Sequence, residues 1–134
     1  MLKNLAIIPV RAGSKRLPKK NLLPFNGLPM FVHTYYHAVE AGIFDRIIIS
    51  TESEEVLSIC DELNISVPFK RPDHLANDSA QLFSVIIDCL ECYMALDEQF
   101  ENFCLLWATA PLRNATHIIE AYHILENDQN LDGV

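Results

Sequence analysis

A chain of 134 residues, half of them apolar, is long enough for one domain with its own core and too short for two. Charged residues make up 21% of it, there are only 4 glycines and 7 prolines, and no apolar run approaches the roughly 18 residues needed to cross a bilayer. Disorder, a collagen-like repeat and a membrane-spanning helix are therefore not expected. The net charge of -8 argues against general affinity for nucleic acid, but it hides a segregation. Residues 1–39 carry Lys3, Arg11, Lys15, Arg16, Lys19 and Lys20 and no carboxylate, whereas the remainder holds all 18 acids and only Arg46, Lys70, Arg71 and Arg113 in opposition.

Leu5 to Val10 is a continuous apolar run that predicts a strand buried on both faces, as in a parallel sheet. It is shorter than the apolar region of a secretory signal and runs into basic residues, so a cytoplasmic location is expected. From Met30 to Ala41 the positions Phe31, Tyr35, Ala38 and Val39 recur at helical spacing, with Gly42 placed to cap the C-terminus. Arg46 to Ser50 predicts a second strand, after which Thr51 or Ser53 can cap a helix whose inner face is Val56, Leu57, Cys60 and Leu63.

A third, weaker strand is predicted over 65–69. A loop then leads into a long helix with Leu82, Val85, Ile86, Cys89, Leu90 and Tyr93 on one stripe. The spacing predicts a fourth strand over 103–107, a helix from Ala115 to about Glu126, and the start of a further strand at Asp132 to Val134. Strands alternating with amphipathic helices imply right-handed βαβ units. The predicted fold is a three-layer α/β/α sandwich with a mostly parallel sheet. Ligands in such folds bind beyond the carboxyl ends of the strands, which directs attention to loops 11–29, 51–53, 70–80 and 108–114.

The first of these loops reads Arg11-Ala12-Gly13-Ser14-Lys15-Arg16-Leu17-Pro18-Lys19-Lys20-Asn21. Small residues at 12–14 let backbone N–H groups approach an oxyanion, and the cations around them neutralise phosphate charge, so a polyphosphate is the natural ligand. The loop has neither the Gly-Lys-Ser/Thr ending of a P-loop nor the three-glycine pattern of dinucleotide folds. A receiver domain is disfavoured because no acid precedes Glu40.

Two weaker patterns are set aside. Cys89 and Cys92 lie inside a predicted helix without a second pair, and all four cysteines (Cys60, Cys89, Cys92, Cys104) stand in apolar surroundings, so reduced, buried thiols are expected. His33 and His37 share a helix face, but no glutamate completes a metalloprotease pattern.

The segment from Ile8 to Asn21 resembles the signature of the acylneuraminate cytidylyltransferases, the CMP-sialic acid synthetases and their relatives for legionaminic and pseudaminic acids. Four more segments are similar in the same order: Asn26 to Met30, Phe44 to Thr51, Arg71-Pro72-Asp73-His74-Leu75-Ala76-Asn77-Asp78-Ser79, and Trp107-Ala108-Thr109-Ala110-Pro111-Leu112-Arg113. The resemblance implies a nucleotide-diphospho-sugar transferase-like (Rossmann-like) fold. It also implies transfer of CMP from CTP to a nonulosonic (sialic-type) acid for cell-surface glycan synthesis, with Mg²⁺ as cofactor.

By that resemblance Arg11 and Lys15 are the expected catalytic cations at the leaving pyrophosphate, and Arg11, Ala12, Gly13, Ser14, Lys15, Lys20, Asn21, Arg71, Asp78, Ser79 and Thr109 the expected nucleotide-binding residues. Arg16 and Lys19 rank second. Arg71 can contact phosphate or help read the nucleotide, or pair with Asp73; Asp78 and Ser79 can face the cytidine or cap the following helix. The family's acidic metal pair belongs to a later part of its chains, so no metal ligand is expected here.

Residues 1–134 are expected to form a single nucleotide-binding domain, the N-terminal part of a longer cytidylyltransferase, with copies associating through an apolar sheet edge. Trp107, Ala108 and Ala110 depart from the Gln-Pro-Thr-Ser form of sialic acid synthetases and are nearer the pseudaminic type, which leaves the sugar open. The alternatives are a CTP-binding module without catalysis and a 3-deoxy-manno-octulosonate cytidylyltransferase; Lys15 and the Lys19-Lys20-Asn21 ending disfavour the latter.

Overall fold

The computed structural model describes residues 1–11, 24–75, 82–110 and 113–134. Among these residues, strand β1 (Leu2–Pro9) runs through the centre of a three-stranded parallel sheet, with β4 (Arg46–Ser50) on one side and β5 (Phe100–Leu105) on the other. Ile7 is the register partner of Ile48 on one flank and of Leu105 on the other. A two-residue hairpin, β2 (Pro24–Phe25) and β3 (Leu28–Pro29), stands apart from this sheet. Its turn is Asn26-Gly27, both at positive φ, the combination that a tight two-residue hairpin requires and that this dipeptide tolerates best.

The alternation of side chains along β1 divides the core in two. Ala6 and Ile8 face helices α1 (Met30–Ala41), α2 (Glu54–Glu62) and α4 (Ala115–Asn127), whose Phe31, Val32, Ala38, Val56, Cys60, Ala115 and Ile118 are buried there. Leu5 and Ile7 face the opposite way, with Ile48, onto Ile86, Cys89 and Tyr93 of α3 (Leu82–Met94). Two helical layers therefore enclose one parallel sheet, the predicted α/β sandwich, and the near-continuous apolar run of β1 follows from burial on both faces.

Helix ends agree with their local chemistry. Gly42 takes the left-handed conformation (φ 69°) and donates its N–H to Val39 O, closing α1. Ser53, rather than Thr51, caps α2: its Oγ accepts the Val56 N–H at 3.2 Å, and Glu54 and Glu55 add negative charge at the positive end of the helix. Asn114 caps α4, accepting from His117 N while His117 Nδ1 accepts from Asn114 N.

Three expectations need correction. Residues 65–69 form no strand: Pro68 supplies no N–H for a ladder, and the segment instead buries Ile65 and packs Val67 and Phe69 against the cores as irregular chain. The last sheet strand lies over Phe100–Leu105 and not 103–107, because its pairing begins at Leu2 opposite Phe100. Residues 132–134 are irregular. The thiols are all unbridged, with Cys60 and Cys89 fully buried and Cys92 and Cys104 partly so; burial pushes both Cys60 and Cys89 up to about 11, leaving them protonated and inert near neutrality.

The turn into β4 is tied to β1 by Asp45, whose Oδ2 accepts the Lys3 N–H at 2.7 Å and the Asn4 N–H at 3.0 Å. These two donors hold its carboxyl below the ordinary value of 3.8. A carboxyl depressed on folding contributes stability above its unfolded value and loses that contribution as pH falls through its folded value. Asp45→Ala should therefore melt at a lower temperature than the wild type at pH 7, with the difference shrinking below pH ~3.8. Thermal melts of both proteins across that range check it, and a gap that does not narrow in acid would contradict the assignment.

Candidate functional site

All three sheet strands point their carboxyl ends the same way, and the winding reverses at β1: the chain moves from β1 to β4 on one side, then crosses to β5 on the other. A central strand flanked by loops that leave in opposite directions forms the crevice in which open α/β sheets hold ligands. Val10 prolongs β1 by donating to Ser50 O at 2.9 Å, so Arg11 is delivered to this end of the sheet beside the end of β4.

Arg71 arrives at the same place from a distant part of the sequence. Its backbone N–H donates to Thr51 O at 2.8 Å, its Nε to Ser50 Oγ at 3.1 Å and its Nη2 to Ser50 O at 2.7 Å. Nη1 lies 3.8 Å from Glu52 Oε2. The residue is only 5% exposed, and that burial is the main reason its guanidinium is held below the usual value; Glu52 opposes the shift and the nearby Arg11 charge adds to it. The expected alternative partner, Asp73, is not the one found: Asp73 is exposed in a 3₁₀ turn with Leu75, and Glu52 provides the counter-charge.

The loop after β5 forms the third wall. Leu106 donates to Ile7 O, extending the pairing by one residue, and Ala108 is buried, its carbonyl accepting from Thr34 Oγ1 of α1 at 3.2 Å. Arg113 closes the loop from below, donating through Nη2 to Trp107 O at 2.7 Å and Thr34 Oγ1 at 3.4 Å. The consequence is that Thr109 and Trp107 are presented outward, both exposed, from a loop tied to the helix beneath. His33 meets Phe25 O and the Phe25 ring edge, which ties α1 to the hairpin and assigns this histidine a structural contact.

The structure thus brings Arg11, Arg71 and Thr109 to the carboxyl end of the sheet. Ala12, Gly13, Ser14, Lys15, Lys20, Asn21, Asp78 and Ser79, together with Arg16 and Lys19, lie outside the described residues. Sequence spacing missed Ser50, Glu52 and Thr34 as parts of this architecture, whereas Arg113 lies in the loop 108–114 that the strand pattern singles out. Only the Ser-Thr-Glu run after a β-branched strand pointed toward the first two, through the expectation that loop 51–53 faces the ligand. Two concavities lie elsewhere. A cleft of about 390 Å³ containing Asp45 and Arg46 sits at the amino end of β4, and a groove of about 560 Å³ follows the outer edge of β5. The cleft lies away from where the strand topology puts the ligand, and the groove reaches that end only at Leu106 and Arg113.

The chain has clear relatives among known proteins. The sequence pattern of the family described as "Cytidylyltransferase" matches residues 5–131. The chain is 34% identical over 129 residues to a pseudaminic acid cytidylyltransferase of Campylobacter jejuni, covering 96% of this chain and 56% of that protein. It is 43% identical over 122 residues to an N-acylneuraminate cytidylyltransferase of Streptococcus agalactiae, covering 90% of this chain and 28% of that protein. The chain therefore spans about half or less of the length of these relatives. Among solved structures, a CMP:2-keto-3-deoxy-manno-octonic acid synthetase complexed with CTP superimposes with a TM-score of 0.79 over 96% of this chain and 49% of that one, at 21% identity, a likeness of fold. With the family pattern running through nearly its whole length, over a parallel sheet enclosed by helices, the chain belongs to the cytidylyltransferase family.

Proposed function

We propose that the chain forms the nucleotide-binding part of an enzyme that transfers CMP from CTP to a nonulosonic acid of the sialic, legionaminic or pseudaminic kind. In that reaction the sugar hydroxyl oxygen attacks the α-phosphorus, the hydroxyl proton is lost, the bond from the α-phosphorus to the bridging oxygen breaks, and pyrophosphate departs. Negative charge grows on the leaving group, and fixed cations there lower the barrier. Arg11 and Lys15 are assigned that work. Ala12, Gly13 and Ser14 offer backbone donors, Lys20, Asn21 and Arg71 further polar contacts, and Asp78, Ser79 and Thr109 the remaining contacts to the nucleotide.

The observation that carries the proposal is the delivery of Arg11 to the carboxyl end of the central strand, at the winding reversal and beside Arg71. The start of the most basic segment of the chain thus lies at the end of the sheet where ligands of such folds bind, which supports a triphosphate as the ligand. Relatives named for pseudaminic and N-acylneuraminic acids favour a nonulosonic acceptor over 3-deoxy-manno-octulosonate, for which the likeness is one of fold.

Mg²⁺ belongs to the proposed reaction as the usual partner of CTP. Among the described residues no three His, Cys, Asp or Glu side chains converge as a metal site, and no step is assigned to the ion. No described helix is long and apolar enough to cross a membrane. A cytoplasmic enzyme fits this reading, with copies associating through the outer edge of β5, where Phe103 is 46% exposed.

The test is calorimetric titration of CTP, ATP, GTP and UTP into the 134-residue chain, with and without Mg²⁺. Selective CTP binding is expected. A folded chain that binds all four alike, or none, would refute the proposal.

A further inference from the structure

The way Arg71 is held raises a question about the residues that hold it. Burying a guanidinium to 5% exposure is costly unless its donors and its charge are answered, and three successive residues at the end of β4 answer them. Thr51 O fixes the main chain through the Arg71 N–H. Ser50 takes one edge of the guanidinium, Nε on its Oγ and Nη2 on its carbonyl, which sets the plane of the group. Glu52, with its side chain 17% exposed, stands 3.8 Å from Nη1. That distance compensates charge without the close hydrogen bonds of a bidentate pair, so Nη1 retains donors to turn toward an incoming acceptor.

We propose that Ser50 and Glu52 are positioning residues for the nucleotide: they hold the Arg71 guanidinium oriented at the carboxyl end of β4, so that Nη1 is preset to donate to bound CTP. The inference rests on the reading of Arg71 as a nucleotide contact. Its logic is preorganisation. A free arginine must give up side-chain freedom when it binds, whereas Arg71 is already fixed before the ligand arrives. Glu52 supplies a negative charge that offsets the cost of burying the guanidinium, and Ser50 supplies direction. A role confined to stabilising the fold would not make their effect on CTP depend on Arg71.

A double-mutant cycle read by CTP calorimetry separates the two roles, with the melting temperature of each variant recorded to establish folding. Glu52→Gln is expected to weaken CTP binding about tenfold when Arg71 is present, and to change it less than about twofold in an Arg71→Met background, the non-additivity of groups acting through one another. Ser50→Ala should weaken binding in the same Arg71-dependent way, whereas Ser50→Thr, which keeps the hydroxyl, should retain it.

Equal losses from Glu52→Gln in both backgrounds, or no loss in either, would overturn the proposal. Arg71→Met binding CTP as the wild type does would overturn it through its premise while leaving CTP binding intact. A folded wild type that binds no CTP would remove the functional reading itself, and this inference with it.

Discussion

Arg11→Ala and Lys15→Ala should each weaken CTP binding by about tenfold to a hundredfold and CMP binding far less. The asymmetry follows from where the charges act. A cation that meets the β- and γ-phosphates contributes a charge-assisted hydrogen bond worth about 1.5–3 kcal/mol, and that contact has no counterpart in a monophosphate. Arg11 leaves the sheet at the end of its central strand, with Val10 still bonded to Ser50, so its backbone is fixed by the fold and not by the loop that follows. Titrating CTP and CMP into each variant reads the ratio directly, and an equal loss for both ligands would remove these residues from the leaving group.

Where local chemistry decides an element, it was legible in the residue pattern. Gly42 ends α1 because only a residue at ease with positive φ continues the chain there, and Ser53 starts α2 because its hydroxyl reaches the Val56 N–H. The buried run of β1 and the β-branched run of β4 were equally plain, since a strand covered on both faces has no polar face to confuse its reading.

The failures have a common cause, which is that strand pairing is a property of two segments. Ile65 to Phe69 looks like a strand by composition, yet Pro68 cannot donate and the segment does better by packing Val67 and Phe69 into the core. The last strand begins three residues early, at Phe100, because β1 offers Leu2 as a partner, even though Glu101 and Asn102 lower its hydropathy. The site divides in the same way. The basic loop announces itself in sequence, whereas the Ser50–Arg71–Glu52 contact joins residues about twenty positions apart and becomes visible only once β4 and the chain beyond α2 lie side by side.

Ile7→Ala should be among the most destabilising single substitutions in the chain. Ile7 is fully buried, paired on both sides within the sheet, and aimed at Ile86, Cys89 and Tyr93 of α3. Removing its side chain in a close-packed layer loses transfer free energy and leaves a cavity, together about 2–5 kcal/mol. That is a large part of the roughly 5–15 kcal/mol that holds a domain of this kind folded.

Phe103 provides the internal comparison. It pairs in register with Leu5, so it projects from the same face of the sheet, but it sits on β5, which has no outer partner among the described strands. α3 packs over β1 and β4 and leaves this phenylalanine half exposed. Phe103→Ala should cost under about 1.5 kcal/mol, because only part of its surface leaves contact with other side chains. Urea unfolding of the two variants at low protein concentration measures both, with an unchanged denaturant slope showing that the unfolding reaction is the same. If Phe103→Ala costs as much as Ile7→Ala, and the loss grows with protein concentration, the outer edge of β5 is covered by a second copy of the chain in solution. If the cost stays small at every concentration, no second copy covers Phe103 and association through this edge is refuted.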